Sequence, residues 1–514
     1  MKNRFTSSIA GASILLSGFS IFSKGIGFIR EMIYAKNFGL SSEFDLFLTC
    51  AALPIVINTA VLYLGQHYFI PAYNKLASES DSDGIEFLNN TFWNFIIAGI
   101  LISLLLLISS KIIIGFFLSN LGYDLQAKGL RIFVLFLITL PFNFGMSIVT
   151  AYMQAKFKFI YPAISQLVVN ITIIIVVFFF TGLFKIFVLP ISFIAAYFLG
   201  FLMIIRPVMS GLGLKRYLKK RESFKTVDGK NLFYLVVIES LSLSYILIDR
   251  YFIGKIPAGG LAALNYALVI YLLPVSIFSI TLTTTMFSKF AFSSARSANT
   301  LKLDFNKAIG INSFIIIPIM FVIFLWGDVF LKIFYERGAF TASDTIRTHK
   351  VLQFYIVSLV FYSAYLIAVK LFYSINRYAL IMYLSIAAFF LKILLNYLFV
   401  DKLFQNGLAL STSLIYLFLF VLAFYYAVRQ INMNNYWSCY VSIVYYLLNG
   451  ILSYLIMRVC FIFITDQELW AKACEMILFL VIYVLNSFYL DNYESRVLKK
   501  TSEALFGRIL GKLT

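Results

Sequence analysis

The 514-residue chain has little of what a soluble enzyme uses. Only 13% of its residues are charged, and it has two histidines and four cysteines. His67 and His349 lie far apart in sequence, which argues against a histidine-based metal or catalytic site. Cys50, Cys439, Cys460 and Cys474 form no C-x-x-C pair, so neither a metal nor a redox motif is spelled out, and they read as small apolar membrane residues. GxxxxGK[ST], GxSxG and HExxH are all missing, which leaves no P-loop for ATP-driven transport and no sign of enzyme chemistry. Acids are scarce: 42 Lys+Arg stand against 23 Asp+Glu, a net charge of +19. In a soluble protein that excess would suggest nucleic acid. Here it accompanies 61% hydrophobic residues and a mean hydropathy of +0.91, so it reads as basic cytoplasmic loops facing anionic lipid.

What the chain does have is apolar sequence in spanning lengths of about 20 residues. Such segments fall at roughly 9–34, 44–70, 86–110, 130–152, 160–181, 184–206, 232–254, 261–288, 308–330, 351–373, 379–400, 406–429, 437–464 and 471–490, which predicts an all-α polytopic membrane protein of fourteen transmembrane helices. Trp93, Trp326, Trp437 and Trp470 lie toward the ends of these runs, as interfacial residues should. MKNRF followed by an apolar run resembles a signal peptide, but no A-x-A site follows, so the run is expected to be a retained first helix. The basic stretches at 206–230, 289–307 and 496–512 all fall inside if both termini are cytoplasmic, in keeping with the positive-inside rule. The acidic ESDSDGIE at 79–86, expected to be a cytoplasmic loop, goes against it, but acids carry little weight in that rule.

An internal repeat organises the chain. At an offset of 220 residues, Arg30, Ile33, Gly39, Leu53 and Pro54 meet Arg250, Ile253, Gly259, Leu273 and Pro274, and Asp45 meets Asn265. Six helices separate the copies, so both enter the membrane in the same direction. The expectation is two six-helix lobes in parallel repeat, residues 1–210 and 231–430, joined by a basic linker at 211–230 and followed by two further helices and a basic tail at 431–514.

The first helix carries Lys24, Arg30 and Glu31 within one hydrophobic span. Each ionised side chain costs about 2.5–3.5 kcal/mol at a helix centre unless it faces water, a partner or a ligand. Lys24, Gly27 and Glu31 share a face, which predicts a polar cavity; snorkelling to the interface is the other reading, and it suits Arg30 and Glu31 better than Lys24. Other polar residues within the expected helices are Asp45, Asn58, Gln66, His67, Asn143, Gln154, Gln166 and Asn170 in the first lobe, and Glu239, Asp249, Arg250, Lys370, Lys392 and Asn396 in the second. Charges of both signs spread over two lobes suit a transporter with a central polar cavity. Glu239 and Asp249 are candidates for proton or cation coupling or for a structural ion pair. Lys392 and Asn396 share a face, and Lys392 could neutralise an acid such as Asp249 in place of a bound cation. Lys370 is a cavity cation or a snorkelling lysine. Lys24 and Arg30 are the best anion ligands: arginine offers a planar fork for phosphate oxygens and lysine a mobile point charge.

SKGIGFIRE, followed by FG, SEFDLFL and LP, resembles the first two helices of the MurJ (MviN) lipid II flippase family. IDRYFIGKIPAGGLAALNYALVIYLLP, IFYERGAFTASDT and NGLALSTSL continue the resemblance in the family's order from about residue 20 to 415. It implies the MATE-like multidrug/oligosaccharidyl-lipid/polysaccharide exporter fold, working by alternating access in the bacterial cytoplasmic membrane. It also implies a membrane-embedded, monomeric carrier of an undecaprenyl-pyrophosphate-linked glycan, with no cofactor. The family's cavity residues carry over onto Lys24 (in place of Arg), Arg30 and Asp45, with Glu31 replacing Asp. Asn58-Thr59 stand where the family has an arginine pair, and Val269 and Leu272 where it has Arg and Glu. These departures point toward another lipid-linked glycan, such as an O-antigen or exopolysaccharide unit, beside lipid II. The alternative from a different class is a MATE-type cation-coupled drug antiporter, which would need an acid-lined pocket.

Overall fold

A computed structural model describes residues 9–213, 217, 229–431, 438–461 and 469–489. The expected termini, most of the basic 211–230 linker and the basic tail lie outside the described residues. Within them the regular structure is helical: α1 (Ile9–Phe38), α2 (Ser42–Leu64), α3 (Ile70–Glu79), α4 (Asp81–Ile108), α5 (Ser110–Leu118), α6 (Tyr123–Leu137), α7 (Thr139–Ala155), α8 (Ile160–Phe184), α9 (Val188–Ile205), α10 (Gly229–Tyr251), α11 (Gly260–Pro274), α12 (Ile280–Arg296), α13 (Ala298–Phe334), α14 (Ala342–Ile356), α15 (Leu359–Ser374), α16 (Tyr378–Leu403), α17 (Gln405–Gln430), α18 (Ser438–Cys460) and α19 (Leu469–Tyr489).

Eleven helical stretches among the described residues are long and apolar enough to cross a membrane, twelve if α14 and α15, bent by 43° at their junction, count as one span. The fourteen expected spans divide the chain more finely. The stretch Ile160–Met209, for example, counts once but holds α8 and α9, which pack side by side around a turn where Lys185 has φ +49°.

Local sequence explains several boundaries. The hydroxyl of Ser41 accepts from the Phe44 amide at 3.2 Å, and Glu43 and Asp45 sit in the first turn of α2, where the helix dipole favours acids. Ser80 caps α4 in the same way, with Asp81 and Asp83 in its first turn. The acidic 79–86 stretch is therefore the end of α3, the Ser80 cap and the start of α4 rather than the loop expected from sequence, with Asp81 and Asp83 where the helix dipole favours acids.

Two compact units emerge. The first holds Met1–Tyr266, Tyr335–Asp344 and Lys392–Leu408. In it α8 packs on α1 and α9, α4 on α7, and α2 on α6, α7 and α10. The second holds Ala267–Phe334, Thr345–Leu391 and Ala409–Thr514, in which α13 packs on α12, α15 and α18, and α18 on α19 around Val322, Trp326, Met457 and Phe479. The first unit includes α10 through its packing on α2.

Candidate functional site

The first unit contains a cavity of about 500 Å³. Four helices and one ring build it. Ser23 and Lys24 come from α1; Asn58, Thr59 and Leu62 from α2, with Gln66 just beyond; Asn143, Met146, Thr150 and Gln154 from α7; Pro162, Ala163, Ser165 and Gln166 from α8; and the ring of Tyr197 from α9. The spacing explains the wall: positions 143, 146, 150 and 154 recur every three or four residues along one face of α7. Gln66 lies in a π-helical turn, Gly65–Phe69, that continues α2. A side chain at Gly65 would come within 3.0 Å of the Ser147 carbonyl, so glycine lets this turn approach α7.

Lys24 is the only charged side chain among the described lining residues. Asn58 is 4% exposed; its Nδ2 donates to Thr139 Oγ1 at 3.3 Å and its main-chain carbonyl accepts from Asn143 Nδ2 at 2.9 Å. Asn58 Oδ1 is buried with no hydrogen-bond partner.

Arg30 and Glu31 do not line this cavity. Arg30 Nη2 donates to Glu31 Oε1 at 2.8 Å and Nη1 to Asn170 Oδ1 at 3.3 Å, while Asn265 Nδ2 donates to Glu31 Oε2 at 3.2 Å. The Arg30 guanidinium also lies 5.6 Å from the Tyr34 ring centroid. The pair is internally neutral, which makes its place in an apolar span affordable.

Asp45 is a helix cap in this fold. Its carboxylate accepts from the amides of Gly259 at 2.6 Å and Ala262 at 2.7 Å, two of the orphan donors at the start of α11. Gly259 has φ +80°, and a Cβ there would stand 2.2 Å from the Leu40 carbonyl oxygen. Gly338 of the ERGAF stretch does the same against α1: its φ is +62°, and a Cβ would lie 2.4 Å from the Lys36 carbonyl oxygen. The residues that carry the family resemblance thus build the joint where these turns meet.

Three of the four coupling candidates come together. Lys392 Nζ lies 2.7 Å from Asp249 Oδ1 and donates to the Leu408 carbonyl at 3.1 Å, and Asn396 Nδ2 donates to the same Asp249 oxygen at 2.8 Å. Glu239 sits ten residues earlier on α10, about 15 Å along the helix axis. Lys370 belongs to the second unit, with its ammonium 5.9 Å and 5.7 Å from the Phe287 and Tyr373 ring centroids.

A model described as lipid II flippase MurJ matches residues 35–485. The chain belongs to the MurJ family. It is 28% identical over 435 residues to the probable lipid II flippase MurJ of Borreliella burgdorferi, covering 82% of this chain and 83% of that protein. It is 25% identical over 416 residues to the lipid II flippase MurJ of Thermosipho africanus, covering 79% and 83%. A solved lipid II flippase MurJ in an inward closed conformation superposes with a TM-score of 0.77 at 22% identity, over 93% of this chain and 98% of that one. A multidrug MATE transporter in an inward-facing conformation gives 0.66 at 13% identity, over 80% and 94%, a likeness of fold alone. This MurJ-family chain is an all-helical, multi-pass membrane transporter of a lipid-linked precursor.

Sequence reasoning singled out Lys24 and Asn58, which do line the cavity. It gave Gln66, Asn143, Gln154 and Gln166 no role, although the shared face of Asn143 and Gln154 on α7 was legible. It did not foresee that Asn170 and Asn265 hold the Arg30–Glu31 pair. The match of Asp45 with Asn265 in the repeat was the one available sign that Asn265 mattered.

Proposed function

We propose that this chain flips lipid II, an undecaprenyl-pyrophosphate-linked glycan, across the bacterial cytoplasmic membrane by alternating access, as a monomer with both termini in the cytoplasm. It acts as a carrier and performs no covalent chemistry. The observation that carries this reading is the polar cavity bounded by apolar spans, with Lys24 as its cation. An ammonium at that position attracts the pyrophosphate as a point charge, while the amides around it are uncharged and tolerate a bulky glycan. Arg30, Glu31 and Asp45 support the site from outside by holding α1, α2 and the start of α11. The Asp249–Lys392 pair favours a structural role over proton or sodium coupling, because the ammonium already neutralises the carboxylate at 2.7 Å.

A second substrate reading has its own observation. With Asn58, Thr59 and Val269 where the family resemblance leads one to expect arginines, the chain has fewer cations than a lipid II site would be expected to keep. This favours a less anionic lipid-linked glycan, such as a surface-polysaccharide unit. Expression in a bacterium depleted of its own lipid II flippase separates the two. Clearance of lipid II from the cytoplasmic leaflet and rescue from lysis support the first. Persistent lipid II with clearance of another lipid-linked glycan moves the proposal to the second. Clearance of neither removes both.

A further inference from the structure

The turn between α7 and α8 carries a side chain that neither its backbone nor its packing explains. Phe157 has φ +57°, a left-handed conformation that bulky residues rarely adopt and that glycine or asparagine usually fills. Two backbone bonds hold it there: the Phe157 amide donates to the Gln154 carbonyl at 3.0 Å, and the Lys158 amide to the Met153 carbonyl at 2.7 Å. They close the end of α7 without help from water. The Phe157 side chain is nevertheless 80% exposed. Lys158, Ile160 and Tyr161 are exposed beside it, and the Phe159 ring meets Phe157 edge-on at 6.1 Å between centroids. Lys156 is engaged elsewhere, 3.8 Å from Asp81 and 5.5 Å from the Tyr73 ring centroid. The second unit repeats the turn. There Asn376 has φ +57°, its amide donates to the Tyr373 carbonyl at 3.2 Å, and the Arg377 amide donates to the Phe372 carbonyl at 2.9 Å. Lys158-Phe159 in one copy answers to Arg377-Tyr378 in the other, a basic residue followed by an aromatic one. Asparagine fills the left-handed position in the second copy, so the exposed Phe157 ring is not a demand of the turn.

We propose that residues 157–161 dock onto anionic phospholipid of the cytoplasmic leaflet, with the Phe157 ring among the upper ends of the acyl chains and the Lys158 ammonium on the headgroup phosphate. The turn follows the fourth expected span, which puts it on the cytoplasmic side in the topology proposed above. That membrane surface is negative and draws lysine and arginine. Lys158 meets the phosphate as a point charge. Tyr161 stands where interfacial aromatics belong, and the exposed Phe157 and Ile160 leave water by entering the same layer. Gln154 and Phe159, on either side of Phe157, line the cavity of the first unit, so the docked lipid sits at the cavity's rim. This rests on the proposed topology and is independent of which glycan is carried.

The test uses the purified full-length protein in nanodiscs of phosphatidylcholine and phosphatidylglycerol. A trace of one lipid or the other carries a photoreactive group near the top of an acyl chain, and cross-linked peptides are located by mass spectrometry. The parent is compared with Lys158→Gln, Phe157→Asn and Lys185→Gln, the last a control just past the far end of α8. The phosphatidylglycerol probe is expected to label residues 157–161 of the parent several-fold more than the phosphatidylcholine probe. Lys158→Gln should lower that preference about fivefold, the effect of one basic residue at an anionic surface. Phe157→Asn, which suits the left-handed position as Asn376 does, should lower labelling by both probes, and Lys185→Gln should change neither. A measurement on the parent alone guards against a poorly folded variant: at 1 M salt, where the screening length falls to about 3 Å, the two probes should label the turn nearly equally. A turn that stays unlabelled because a second copy covers it, equal labelling by both probes, a preference that survives 1 M salt or Lys158→Gln, unchanged labelling in Phe157→Asn, or the same loss in Lys185→Gln overturns the lipid-docking turn. Both nanodisc faces carry the same lipids and no transport is read, so such a failure is distinct from an error in topology and leaves the flippase reading standing.

Discussion

Replacing Arg30 tests whether it is a ligand or a structural partner. Its side chain is 25% exposed and that of Glu31 is 9% exposed, with 2.8 Å between them. Arg30→Met leaves the Glu31 carboxylate in an apolar helix with Asn265 as its remaining partner at 3.2 Å, and also removes the bond to Asn170 at 3.3 Å. Breaking one side of a buried pair costs about 3–5 kcal/mol; partial exposure puts this pair at the low end, about 3 kcal/mol. Adding Glu31→Gln removes the stranded charge, so the double variant should lie within about 1 kcal/mol of the parent, restoring about 2 kcal/mol of what Arg30→Met loses. The assay is equilibrium unfolding in mixed micelles followed by tryptophan fluorescence. Lys24→Met, which faces the cavity, should change stability by less than about 1 kcal/mol while abolishing transport. The reasoning is refuted if Arg30→Met unfolds like the parent, or if Glu31→Gln fails to restore what Arg30→Met loses.

Other consequences follow from the same packing. Asp45→Ala should destabilise by about 2–3 kcal/mol, since it leaves two amides at the start of α11 without an acceptor, whereas Asp45→Asn keeps one acceptor and should cost less in the same unfolding assay. Gly338→Ala should sharply reduce the monodisperse fraction recovered after detergent extraction, because a Cβ there meets backbone 2.4 Å away, while Gly115→Ala, with nothing within 4 Å, should leave recovery unchanged. Lys392→Met should destabilise by about 3–5 kcal/mol, and Asp249→Asn/Lys392→Met should recover most of it and retain transport; loss of transport in a stable double variant would assign the pair to coupling.

The general fold was legible because bilayer physics leaves few options. Twenty-residue apolar runs must be helices, and most of the expected spans match helices within a few residues. The exceptions have physical causes. Residues 79–86 looked like an acidic loop because composition was visible and capping geometry was not; Ser80 turns that stretch into a helix start. The bend between α14 and α15, inside the expected span 351–373, carries no proline to announce it. At the site, Lys24 stood out as a cation far from a helix end, and Asn58 stood out through the family comparison. Arg30 and Glu31 looked like ligands because sequence gives the cost of their charge but not who shares it. The partners, Asn170 and Asn265, are 140 and 234 residues away in the chain, beyond any local pattern. The capping bonds of Asp45 were hidden for the same reason: a carboxylate capping a distant helix and one facing a cavity look alike in sequence.

The central claim is that the chain moves a lipid-linked glycan across a bilayer through the Lys24 cavity. Its most direct test is reconstitution into vesicles containing undecaprenyl-pyrophosphate-linked disaccharide, with a membrane-impermeant, sugar-modifying enzyme added outside. The parent should expose the inner-leaflet pool to that enzyme over time, and Lys24→Met should leave it as protected as in protein-free vesicles. An inner pool that stays protected with the parent, or is exposed equally by Lys24→Met, would contradict the account.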